Sequence, residues 1–301
     1  MNRTERILIV CSIVFLGFTY GCNGSSSSSL SSIPQCTKST NALFTFSIIG
    51  DYGTDDKTEA AVANLVISWN PDFIITTGDN NYPRGSSATI DDNIGKYYHD
   101  FIKPYVGAFG SGSDINRFFP VLGNHDWYTS SAIPYLNYFV LPNNERYYDF
   151  TWGNVHFFAL DSNKNEPDGV SISSMQAQWL KNSLAASGST FKIVFMHHPP
   201  YSSGFHGNTE YMQWPFGAWG SDAVIAGHEH SYERLDINGT PYFVNGLGGA
   251  RKYGFTDVLR ESRKRYNAKH GAMLVDEESS QIIFRFCSID NELIDEYVVH
   301  K

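Results

Sequence analysis

The sequence predicts an α/β fold, a four-layer α/β sandwich with two mixed β-sheets. Three observations predict it. Short apolar runs rich in Val, Ile and Phe recur from residue 42 onward, each closed by a cluster of Gly, Asp, Asn or His. Helical spacing fills gaps between these runs. The end of the chain alternates like antiparallel strands. Alternation of the first two kinds layers helices on sheets, and the closing strands make the sheets mixed.

The apolar runs are 44–49, 73–77, 119–122, 155–160, 192–196, 223–226 and 242–245. Their length and bounding turn residues suit buried strands. Between the first two, Val62, Leu65, Val66 and Trp69 repeat at helical spacing, and Pro71 closes the segment. Residues 174–184 read as a second helix, with Met175, Trp179 and Leu180 expected on its inner face. The stretch 78–118 is rich in Gly, Ser, Asp and Tyr, and reads as a long loop with a short helix around 91–101. Segments 273–275, 281–287 and 293–299 complete a sheet as antiparallel strands.

Composition narrows the partners. The 301 residues carry 22 Lys+Arg against 31 Asp+Glu, a formal charge of -9. Such a balance argues against nucleic acid, whose binding needs basic side chains to neutralise phosphates. It leaves a small anionic partner open, because bound cations dominate local electrostatics.

The N-terminus reads as an export signal over 1–22. Arg3 and Arg6 precede an apolar stretch at 7–18, too short for a membrane span. Gly21-Cys22 then precedes the serine run 25–29. Two readings stand: a lipoprotein site that attaches the chain to a membrane through a lipid on Cys22, or a plain signal peptide cut nearby. Either one predicts an exported protein, periplasmic, extracellular or lipid-anchored at the outer membrane. Residues 23–41 read as a Ser-rich tether, and 42–301 as the folded domain. Cys36 and Cys287 are open to two readings, a disulfide or a free buried Cys287.

The functional signal lies in the polar clusters that close the apolar runs: Gly50-Asp51-Tyr52-Gly53, Gly78-Asp79-Asn80-Asn81-Tyr82, Gly123-Asn124-His125-Asp126, His197-His198 and Gly227-His228-Glu229-His230. The carboxyl ends of strands in α/β sheets border the ligand crevice. Asp51, Asp79, Tyr82, Asn124, His197, His228 and His230 are therefore candidates for one shared site. Their chemistry suits two metal ions, since a carboxylate bridges cations, imidazole suits iron and zinc, and tyrosinate favours Fe(III).

In order and spacing, these clusters resemble the five motifs of the purple acid phosphatases, a branch of the calcineurin-like metallophosphoesterases. The resemblance covers about residues 44–299 and is strongest to the small, tartrate-resistant type. Two positions mark that branch: Gly53, where most relatives carry a histidine, and Tyr82, which most relatives lack. The resemblance implies a metallophosphoesterase catalytic domain over 42–301. It implies a ferric site of Asp51, Asp79, Tyr82 and His230. It also implies a divalent site (Fe, Zn or Mn) of Asp79, Asn124, His197 and His228, with Asp79 shared. His125 and His206 would lie near the substrate as catalytic residues, and His198 stands where relatives often carry Tyr. The implied reaction is hydrolysis of a small phosphorylated substrate, a phosphate monoester, by metal-bound hydroxide attacking in line. The alternative is a metallophosphodiesterase acting on cyclic nucleotides or lipid head groups.

Other features have less specific readings. Asp126 is a candidate to orient His125, or a turn residue. Aromatics at 127–128, 201, 205, 211, 214 and 219 read as packing or as a rim. The basic run 260–265 reads as a solvated loop or helix face. Gly246 to Gly249 reads as a tight loop beside the site.

Overall fold

The computed structural model describes residues 34–301, and all structural statements concern these residues. Thirteen strands run in chain order: β1 (Phe44–Ile49), β2 (Phe73–Thr76), β3 (Phe118–Phe119), β4 (Tyr148–Trp152), β5 (Val155–Ala159), β6 (Phe191–Phe195), β7 (Ala223–Ala226), β8 (Tyr232–Ile237), β9 (Thr240–Asn245), β10 (Ser262–Tyr266), β11 (Gly271–Glu278), β12 (Gln281–Ser288) and β13 (Leu293–His300). One sheet has the order β13-β12-β11-β1-β2-β3, the other β10-β8-β9-β7-β6-β5-β4. Both are mixed. In the first, β1 pairs in parallel with β2 and β2 with β3, while β11 to β13 pair antiparallel. In the second, β5, β6, β7 and β9 are parallel neighbours, flanked by antiparallel β4, β8 and β10. This is the α/β sandwich expected from the sequence.

Strands buried on both faces read as continuous apolar runs, and β1, β2 and β7 are buried along their whole length. Between the sheets lies an aromatic core. Phe46 stacks on Phe73 at 5.0 Å and meets Phe157 of the second sheet edge-on at 5.2 Å. Phe243 stacks across the sheets on Phe284 at 4.8 Å. Truncating such a buried ring costs about 3–5 kcal/mol, so these contacts fix how the two sheets meet.

The helix Lys57–Ser68 begins at Asp56, whose side chain accepts the Thr58 and Glu59 N–H groups. It buries Val62, Leu65 and Val66 and packs near β11. The helix Met175–Ala186 is capped by Ser174 and buries Ala177, Leu180 and Leu184 in a second core with Phe158, Val194 and Val224. Met175 was expected to face inward but is 65% exposed. It is the first helical residue, and the buried face starts one residue later at Gln176.

The export signal expected over 1–22 lies outside the described residues. So does most of the tether, yet its last residues are ordered against the sheet. Cys36 is buried and bonded to Cys287, with Cα atoms 6.1 Å apart. The Pro34 carbonyl accepts the Leu293 N–H, and the Cys36 N–H donates to the Asn291 carbonyl. Part of the segment read as a tether, residues 34–41, is therefore joined to the folded domain, and polar composition hid its covalent anchor. The disulfide spans 251 residues. On the chain-entropy account, closing a loop of that size is worth about 5 kcal/mol.

Three strands lay outside the sequence reading: β4, β8 and β10. β10 is the basic run itself, lying at a sheet edge, where charged side chains block further pairing. β3 is shorter than expected, Phe118–Phe119: Pro120 has no N–H for the ladder, and its carbonyl accepts from Tyr135 Oη and Tyr148 Oη.

Candidate metal centre

Parallel register brings the strand ends together. Ile49 of β1 sits beside Thr76 of β2, and Phe195 of β6 beside Ile225 of β7. The loops after these strands are laced across the two sheets. The Asp51 N–H donates to the Gly78 carbonyl (3.0 Å), and the Gly227 N–H to the His197 carbonyl (2.9 Å). The His228 N–H donates to Asp51 Oδ2 (2.8 Å), and His197 Nδ1 to the Thr77 carbonyl (2.8 Å). Three candidate ligands, Asp51, Asp79 and His228, have left-handed backbone (φ 54°, 51° and 70°). Gly78 has φ 88°, and a Cβ there would stand 2.7 Å from His197 Nδ1. At Gly53 a Cβ would run into the Asn80 carbonyl, so this backbone has no room for a histidine at that position.

The structure brings all seven expected ligands into one place, in two overlapping sets around Asp79. In the first, Tyr82 Oη lies 3.0 Å from Asp79 Oδ2, 3.3 Å from Asp51 Oδ1 and 3.1 Å from His230 Nε2. His230 Nε2 is 3.3 Å from Asp51 Oδ1. In the second, His197 Nε2 is 3.5 Å from Asp79 Oδ2, 3.0 Å from Asn124 Oδ1 and 3.2 Å from His228 Nδ1. Asp79 Oδ2 faces both sets.

A count of protons shows why this arrangement fits cations. His230 Nδ1 faces the Arg251 carbonyl at 2.6 Å, and His197 Nδ1 faces the Thr77 carbonyl. A carbonyl only accepts, so each ring donates there, and its neutral form presents a bare Nε2 inward. Asn124 Nδ2 donates to Tyr128 Oη (3.1 Å), which turns its Oδ1 inward. Two carboxylates, two bare ring nitrogens and an amide oxygen thus converge, and the side-chain donors facing them are the Tyr82 hydroxyl and, in one tautomer, His228 Nδ1. Buried acceptors without donors are costly, and metal ions supply what is missing. Burial, then the Asp79 and Asp51 carboxylates, push the Tyr82 phenol well above its usual range. Tyrosinate at this position therefore demands a highly charged cation between the three. These residues fit a dinuclear centre.

His125 and His206 sit on the open side. The His125 N–H donates to Asp79 Oδ1 (2.8 Å), and its Nδ1 faces the Pro83 carbonyl (2.6 Å), which leaves Nε2 3.9 Å from Asp79 Oδ2. His206 stacks on His228 at 4.4 Å. Asp126 does not orient the His125 ring. Its carboxylate accepts from Gly123 N, Asn80 N and Asn80 Nδ2, and so ties the second and third clusters together. Burial, then the charge of Asp79, push its pKa up to about 7.

Four contributors escaped sequence reasoning. Glu229 is wholly buried; its Oε1 accepts the His206 N–H (2.8 Å), and Oε2 lies 3.6 Å from His206 Nδ1 with no hydrogen-bond partner. Tyr253 stacks on His230 at 4.2 Å. Pro83 orients His125, and Ser162 holds His198. Only Glu229, set between two candidate ligands, carried a signal in its position. Of the aromatic candidates, Tyr128 and Tyr211 line the clefts at the centre, while Trp127 and Trp214 are buried packing. The glycine loop does lie beside the site: a Cβ at Gly246 would stand 2.7 Å from Asp51 Oδ2.

Two mixed sheets with paired carboxylate, phenol and imidazole donors at their strand ends define a metallophosphoesterase architecture. The sequence model of the calcineurin-like phosphoesterases matches residues 44–232, and the chain belongs to that family. Its curated relatives include Purple acid phosphatase 15 of Arabidopsis thaliana, 27% identical over 245 residues, and human Tartrate-resistant acid phosphatase type 5, 26% identical over 216 residues. These alignments cover 68% and 62% of this chain, but 45% and 64% of the relatives' own lengths. The fold is shared with a purple acid phosphatase from yellow lupin seeds (TM-score 0.66, 15% identity, 88% of this chain and 55% of that one). It is also shared with GAP50, the anchor in the inner membrane complex of Plasmodium (TM-score 0.66, 20% identity, 85% and 88%).

Proposed function

We propose that the chain hydrolyses phosphate monoesters at a dinuclear Fe(III)–M(II) centre. The observation that carries this reading is the convergence of Tyr82 Oη, from the first sheet's loops, and His197 Nε2, from the second's, on Asp79 Oδ2. Asp51, Asp79, Tyr82 and His230 would hold the ferric ion. Asp79, Asn124, His197 and His228 would hold the divalent one. Bound there, the ions supply Lewis-acid neutralisation of phosphate charge and a more acidic water nucleophile.

The chain's own residues supply orientation and protons. Asp79 fixes the two halves relative to each other. His125, with Nδ1 committed to the Pro83 carbonyl, presents Nε2 to the substrate; His206 flanks it from the opposite loop. Both sit where a leaving alkoxide can take a proton. The cleft beside them holds about 530 Å³ and is lined by Asn124, His198, His206 and His228 with polar residues of the 208–211 loop. That volume accommodates a small phosphorylated molecule. The Cys36–Cys287 bond persists in oxidising compartments, which supports export.

The test is metal analysis of the purified protein together with parallel assays of monoester and diester substrates at acidic pH. About two ions per chain and a preference for monoesters are expected. Faster turnover of diesters would overturn the substrate assignment, and absence of metal would overturn the centre.

A further inference from the structure

One imidazole in the cleft has no part in the proposed metal set. His198 follows the candidate ligand His197 and is held by Ser162 at two points. The His198 backbone N–H donates to Ser162 Oγ (2.8 Å), and Ser162 Oγ lies 2.9 Å from His198 Nδ1. The hydroxyl oxygen already accepts one proton, and its own proton has no other acceptor among the described residues. Donated to Nδ1, that proton leaves the ring hydrogen on Nε2. Nε2 makes no hydrogen bond within the described residues, while the residue lines the cleft beside Asn124, His206 and His228. The ring centroid is 4.5 Å from that of His228 and 4.9 Å from that of His197. In that tautomer an N–H donor stands at the imidazole-rich side of the centre with nothing among the described residues to receive it.

We propose that His198 contacts the substrate, its Nε2–H donating to a non-bridging phosphate oxygen on the His197–His228 side, and that Ser162 is its positioning residue. This rests on the phosphatase reading. His198 does lie with His197 and His228 in a group whose ligand atoms fall within 4.8 Å of one another; what sets it apart is that its Nδ1 faces a hydroxyl able to donate, where those of His197 and His230 face carbonyls that only accept. With Ser162 donating to Nδ1, the neutral ring keeps its Nε2–H as a donor toward the cleft. A neutral donor can stabilise phosphate charge in the transition state without giving up its proton.

The experiment uses the full, metal-loaded chain and inorganic phosphate as probe. Calorimetric affinity and metal content are measured for the parent, His198→Phe, His198→Gln and Ser162→Ala. His198→Phe is expected to weaken phosphate binding about tenfold and to lower kcat/KM on the order of 10²-fold, the usual effect of removing one such donor. His198→Gln, which keeps an N–H, should recover part of the loss. Ser162→Ala, a small change that spares packing, should show a lesser loss of the same kind. Metal content should not change. Phosphate affinity unaltered in both His198→Phe and Ser162→Ala overturns the proposal, and so does loss of one metal equivalent in His198→Phe, which would make the residue a ligand. His198-dependent phosphate binding in a chain that turns over no ester would keep this inference and sink the hydrolytic one.

Discussion

The two halves of the centre are built from different chemistry. One half offers two carboxylates and a phenol with a single imidazole, His230, and its Asp51 and Asp79 are almost wholly inaccessible to solvent. The other offers two imidazoles and an amide, His197, His228 and Asn124, of which His228 and Asn124 line the cleft and His197 is buried. The first half gathers more carboxylate and phenol oxygen, which on the proposed reading favours a small, highly charged ion. The second contributes little charge of its own, which on the same reading suits a divalent ion. The difference teaches that two ions held by one carboxylate can meet different donors, and on the proposed reading donor charge would sort them. Asp79, common to both, ties the two halves together.

The comparison breaks most completely at its shared member. Asp79→Ala should remove both ions, drop metal content from about two toward zero per chain, and lower turnover by several orders of magnitude. Elemental analysis that still found two ions would show the halves to be independent. Next in size is His125→Ala, which leaves both halves intact. Turnover of alkyl esters should fall about 10²–10⁴-fold, and aryl esters with good leaving groups should lose far less; equal losses would remove the proton-donor role.

Chelation sharpens the contrast reversibly. Brief treatment should strip the imidazole half first, abolishing activity while iron and visible absorbance remain, and Zn(II) or Mn(II) should restore turnover. The smallest effect on rate is expected for Tyr82→Phe. Its signature is spectral, loss of the visible charge-transfer band with iron retained, measured by absorbance of the oxidised protein. A band that survives the substitution would take Tyr82 out of the acidic half.

Much of the centre is legible in the sequence alone, for a physical reason. Ligands at strand ends must come after an apolar run and precede a sharp turn, so Asp51, Asp79 and His228 each appear as a polar residue behind Gly at the close of a buried strand. What was hidden depends on contacts between distant segments. Ser162, Tyr253 and Pro83 act on residues 36, 23 and 42 positions away, and nothing local marks them. Edge strand β10 carries charge in place of an apolar pattern, and residues 34–41 look like a linker because their anchor is a disulfide partner far along the chain. Exposure of Met175 shows the remaining weakness. Helical spacing finds the buried face, and a capped first turn can still stand clear of it.

The left-handed residues of the ligand loops have a further meaning. Backbone held in that region costs about 1–3 kcal/mol per residue, and Asp51, Asp79 and His228 bear it whether or not an ion is near. The protein has thus traded thermal resilience for readiness, so that an arriving ion meets loops already set. Asp51→Asn should expose the trade. Asparagine keeps the left-handed backbone that aspartate already tolerates, so the change isolates the charge that crowds Asp79. With chelator present, the variant should melt at a higher temperature than the parent, and with metal present the order should reverse.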